Sequence, residues 1–224
     1  KSRESVKLEE VGKQIENPKI GSIEIVPNEE IELSSILEDL STLSNQVDGS
    51  VRESLRLVQF LAQNEKSAKH LKDKKIKFVD NKSKNFKGSV VGNTIEINYA
   101  FITDPTMMSS ILAHEAIHMF TKDWIQENQG DPLVQRLNKL IEQLPETISE
   151  YYRNPYEILA SVANPDIAAQ LKSIKVNDKS LLESIIDTLK EIVEKILGVS
   201  KTDAVYDELI TKIVIISTKE PVQE

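Results

Sequence analysis

Apolar and polar positions divide the chain into distinct stretches. Residues 1–30 are mixed and charged, with one short alternating piece, SIEIVP at 22–27. An N-terminal arm carrying a single strand is expected there. From Ile31 to Gln63 the spacing turns helical. Ile36, Leu40 and Leu43 recur on one face, and Leu55, Val58 and Leu61 recur after the break QVDGS, so two helices fit. KIKFVD at 75–80 reads as a strand. GSVVGNTIEINYAF at 88–101 reads as two strands joined at Gly92-Asn93, a strong hairpin signal. In the second strand Ile95 and Ile97 point one way, and Thr94, Glu96 and Asn98 the other.

Residues 103–125 form the next helix. Asp104 is placed to cap it, and Pro105 sits at the first helical position, where a missing N–H is harmless. Met108, Leu112, Ala116 and Met119 make its core-facing stripe. Helices follow near 132–144, bounded by Pro145, and near 154–163, ending at a second Asn-Pro pair. The tail predicts helices at about 179–198 and 202–217. Leu182, Ile185, Leu189, Ile192 and Ile196 form a seam lasting about two heptads, which favours core packing over a coiled-coil partner. The division that results is an arm (1–30), a main domain (31–175) and a helical segment packed on it (176–224).

Composition narrows the chemistry. At 39% hydrophobic and 29% charged residues the chain belongs with globular proteins. A net charge of −8 argues against nucleic acid as the main partner, and the basic run HLKDKKIK is short and interrupted by Asp73. No run of 18 apolar residues exists, so no membrane span is expected, and no signal-peptide pattern is visible. There is no cysteine. Disulfides and thiolate metal sites are excluded, and any metal must rest on His, Asp or Glu.

The chemistry gathers in HEAIH, residues 114–118. Histidines four apart share one helix face, so His114 and His118 can reach one ion together. Glu115 is turned about 100° from His114 and would reach a water rather than the ion. Two ligands and a general base thus stand within five residues. A catalytic zinc needs a third protein ligand. His70 lies in a lysine-rich segment and is a poor choice. Thr121 and Trp124 occupy the places where a histidine-rich extension of the motif would continue. Asp123, Glu127, Asp131, Glu142, Glu146, Glu150 and Glu157 are the carboxylate candidates downstream. Glu157 is favoured, because an acid among Ile158, Leu159 and Val162 needs a reason. The competing reading is a capping box, with Asn154 as N-cap and Glu157 three residues on. Tyr151, Tyr152, Arg153 and Tyr156 cluster before it as candidate donors to a developing oxyanion.

HEAIH followed by NPYEILASVANP resembles the gluzincin class of zinc metallopeptidases. More narrowly, it resembles the small metallopeptidase domains of large bacteriophage and mobile-element proteins. The resemblance spans roughly residues 75–170. It implies a zincin-like α+β fold with a small, mostly antiparallel sheet on the motif helix. It implies Zn2+ on His114, His118 and Glu157, with Glu115 as general base in the hydrolysis of a polypeptide substrate. It also implies an edge strand that pairs with substrate, placed here on Thr94, Ile95, Glu96, Ile97 and Asn98. Many gluzincins carry an acid four residues after the ligand Glu, where this chain has Ser161. Virion or polyprotein partners, and a place in a phage virion or an infected bacterial cell, follow from the narrower resemblance. Two other classes remain open: a virion structural or cargo protein that keeps the metal site without protease activity, and a metal-dependent hydrolase acting on a non-peptide bond.

Overall fold

The computed structural model describes residues 19–20, 23–47, 49–63 and 73–199. At their centre is a helix at Pro105–Glu127, started as the sequence predicts. Asp104 is its N-cap and accepts the Met107 N–H at 2.8 Å, with Pro105 in the first turn. Met108, Leu112, Ala116 and Met119 are buried, and so is every residue from Ile111 to Thr121. This helix therefore runs through the core rather than over it. That is why polar residues in its middle can be sealed from water.

The other elements wrap around it. Two short strands, β1 (Lys19–Ile20) and β2 (Ile23–Glu24), form a hairpin, and β3 is Glu30–Glu32. Helices α1 (Leu37–Ser44) and α2 (Gly49–Gln63) follow, then β4 (Lys75–Val79), β5 (Gly88–Val91) and β6 (Thr94–Asn98). The central helix is α3. Next come α4 (Pro132–Ile141), α5 (Pro155–Ala160), α6 (Pro165–Ser173), the hairpin β7–β8 (Lys175–Val176 and Lys179–Ser180) and α7 (Leu181–Leu197). Leu182, Ile185, Leu189 and Ile192 of α7 are buried in the same core as α2 and α3, and Ile196 packs against it. The seam is core packing, as expected. The predicted helix at 202–217 and His70 lie outside the described residues.

The class is α+β, with a four-stranded mixed sheet in the order β3-β4-β6-β5. Its middle pair, β4 and β6, is parallel, while the two outer pairs are antiparallel. The Gly92-Asn93 hairpin forms as predicted, with Gly92 at φ 60°, where glycine meets no side-chain clash. One expectation is overturned. Thr94, Ile95, Glu96, Ile97 and Asn98 form β6, which is not an edge. β4 flanks it on one side and β5 on the other, so ladder pairing already engages its backbone. The edges are β3 and β5. A second Asn-Pro pair, read as a helix end, also starts a helix: Asn164 caps α6 through the Asp166 and Ile167 N–H groups.

Asn98 is buried and ties down the loop before β5. Its Oδ1 accepts the Asn81 N–H at 3.1 Å, and its Nδ2 donates to the carbonyls of Asn81 at 2.8 Å and Lys84 at 3.4 Å. Removing this side chain takes away the partner of the Asn81 and Lys84 backbone groups and opens a gap where Asn98 is buried. Asn98→Ala is expected to lower the unfolding free energy by about 1–3 kcal/mol in denaturant titration. No change would contradict the loop's dependence on it.

Candidate metal centre

Helix α3 presents His114 and His118 one turn apart, and α5 carries Glu157 across from them. Asn154 caps α5 by accepting the N–H groups of Tyr156 and Glu157. The Glu157 carboxylate does not turn back to complete a capping box. Its Oε2 lies 3.0 Å from His114 Nε2 and 2.9 Å from His118 Nε2. That contact turns the Glu157 side chain away from the capping-box arrangement and toward the two histidines. All three residues are at most 3% exposed.

These three side chains form a group that could hold a metal ion, with one ligand atom from each and all three atoms within 4.8 Å of one another. The geometry fits. Ligands about 2.0–2.1 Å from a tetrahedral ion lie about 3.3 Å apart, close to the two contacts seen. Nitrogen, nitrogen and carboxylate oxygen are donors that zinc and neighbouring transition metals accept. Among the described residues no fourth His, Asp or Glu joins the group.

The electrostatics of the cluster follow from burial. Desolvation pushes the Glu157 carboxyl up, but the hydrogen bonds and charges of His114 and His118 outweigh it and hold it at about 2. Burial lowers His118, the Glu157 contact partly offsets this, and the nearby His114 lowers it again. An ionised Glu157 accepts N–H bonds from both imidazoles. A metal ion among these atoms would replace the Nε2 protons that hold the contact, leaving neutral imidazoles and an ionised carboxylate as ligands.

Glu115 is 1% exposed and lies against the start of β5. The four residues proposed as oxyanion donors separate. The Tyr152 hydroxyl accepts from Asn164 Nδ2 at 3.0 Å, and the Tyr156 hydroxyl accepts from Gln129 Nε2 at 3.4 Å. Arg153 donates to the Leu144 and Pro145 carbonyls and pairs with Glu150. Tyr151 alone of the four stacks on a donor residue, its ring 6.4 Å from that of His114. Of the other carboxylates considered as ligands, Asp131 pairs with Lys195 at 2.6 Å and caps α4. Ser161 bonds the Ile158 carbonyl, so it does not stand in for the acid that would orient a histidine. His118 Nδ1 has no hydrogen-bond partner among the described residues. Sequence reasoning passed over Gly88, although a glycine inside a strand is itself a signal of close approach.

Comparison with known proteins gives no match to a family model, a characterised protein or a solved structure.

Purified without added metal, the protein should carry about one zinc per chain, and Glu157→Ala should carry markedly less. Equal metal in both would show that Glu157 is not a ligand.

Proposed function

We propose that the chain is a zinc-dependent peptidase with a zincin-like site, in which His114, His118 and Glu157 hold the metal and Glu115 is the general base. The observation that carries this reading is the convergence of both His114 and His118 Nε2 on one Glu157 oxygen, with Glu115 beside them on the same helix. Three protein donors leave a coordination position open, as a catalytic zinc needs and a structural one does not. A zinc ion held by His114, His118 and Glu157 would supply Lewis acidity there. Glu115 takes the proton from the attacking water and delivers it to the leaving amine. Tyr151, whose ring stacks on that of His114, is our candidate to donate a hydrogen bond to the developing oxyanion.

The sheet offers a route for an extended chain. β5 is an edge strand. Its ladder pairs Ser89 with Glu96 and Val91 with Thr94, and the Asn98 N–H reaches the Lys87 carbonyl. By the alternation of an antiparallel ladder, Gly88 and Val90 turn their own N–H and C=O groups outward, where a peptide can pair with them. A cleft of about 400 Å³ opens at the Lys87 end of this edge, lined also by Asp104, Ser110, Ile111 and Asn164.

Burial favours a second reading. His114, Glu115, His118 and Glu157 are each at most 3% exposed, as suits a metal that stabilises the fold without turnover. One variant separates the two. Glu115→Gln should keep its zinc and lose peptide cleavage by about 100-fold or more. Cleavage equal to wild type would refute Glu115 as the base, and a zinc-loaded wild type that cleaves no peptide in a library would favour the structural site.

A further inference from the structure

Gly88 stands where the start of β5 comes close against helix α3. It opens β5 and is buried, and its φ lies outside the left-handed region. Backbone conformation therefore does not demand glycine there. Space does. A Cβ on Gly88 would stand 2.5 Å from Ile111 Cγ2, 2.9 Å from Glu115 Oε1 and 3.0 Å from Glu115 Cγ. The strand backbone thus lies directly against the Glu115 side chain, and only a hydrogen at Cα leaves room for both.

Each partner in this contact is held from elsewhere. The Asn98 side chain fixes the loop at Asn81 and Lys84, and the Asn98 N–H bonds the Lys87 carbonyl, so the start of β5 cannot drift outward freely. Glu115 and Ile111 ride on the buried helix α3, which has core on every side. A close-packed interior transmits an inserted methyl group as displacement, and the long Glu115 side chain yields more easily than either backbone.

We propose that Gly88 is a positioning residue. Its bare backbone forms the wall against which the Glu115 side chain rests, and any side chain at 88 moves that carboxylate while leaving the three donors in place. This rests on the reading of Glu115 as the base. The stretch that supplies the wall also turns outward as the sheet edge, so base and peptide-pairing edge are set by the same residue.

The test compares wild type with Gly88→Ala, and Ile111→Ala with Gly88→Ala/Ile111→Ala. Removing the Ile111 side chain relieves the tightest contact, so the double variant isolates the effect on Glu115 and covers the case in which Gly88→Ala alone does not fold. Three quantities are measured in each: zinc per chain, the visible absorption of the Co2+-loaded protein, and kcat and KM on a cleaved peptide. Zinc should be unchanged. The Co2+ spectrum should shift as the Glu115 carboxylate moves, and kcat should fall about 10- to 100-fold with KM within about twofold. An unchanged spectrum with unchanged kcat would overturn the proposal, as would a loss of zinc, which would mean that residue 88 supports the ligands instead. If wild type holds metal but cleaves nothing, the peptidase reading fails by itself, and the Co2+ spectrum still decides: a shift on Gly88→Ala supports the positioning contact and an unchanged spectrum overturns it.

Discussion

Two imidazole nitrogens on successive turns of α3 meet one carboxylate oxygen of α5, and most of the site follows from that contact. It forms in a region nearly free of water, where an unpaired carboxylate would be strongly disfavoured. The fold meets this constraint by making α3 a core helix. Its apolar residues pack against the surrounding elements, while His114 and His118 face Glu157 of α5 and Glu115 lies against Gly88 of β5. Asn154 completes the arrangement by capping α5, so the Glu157 side chain is left to cross to the histidines.

The same logic explains the unusual tightness at β5. A buried helix needs the sheet packed against it, and at Gly88 the strand comes so close to Ile111 and Glu115 that a Cβ would clash with both. Loop, strand and helix are linked through Asn98, which lies in β6 yet serves the loop that leads into β5. The motif helix supplies the reactive groups. The neighbouring sheet restricts where Glu115 can go.

Much of this was legible in the sequence because it is local. The Asp104-Pro105 start of α3, the four-residue histidine spacing and the Gly92-Asn93 turn all act within a few residues. Glu157 was legible for a different reason: an acid among Ile158, Leu159 and Val162 calls for a partner, and the HEAIH motif called for a third ligand. Strand order was not legible. The hairpin signal specifies that β5 pairs with β6, but it carries nothing about β4, whose parallel pairing makes β6 an inner strand. β3 escaped notice because three residues hold too little alternation to register. The role of Asn164-Pro165 was half read, since an Asn-Pro pair that closes one helix can cap the next. Which of Tyr151, Tyr152 and Tyr156 lies against His114 could not be told by position, because neighbouring residues on a short turn point in different directions.

The most direct test of the central claim is X-ray absorption at the zinc edge of the purified, metal-loaded protein. The account predicts two imidazole nitrogens and carboxylate or water oxygens at about 2.0–2.2 Å, with no sulfur. A first shell lacking imidazole, or a protein that retains no zinc after dialysis, would contradict the metal centre and the function built on it.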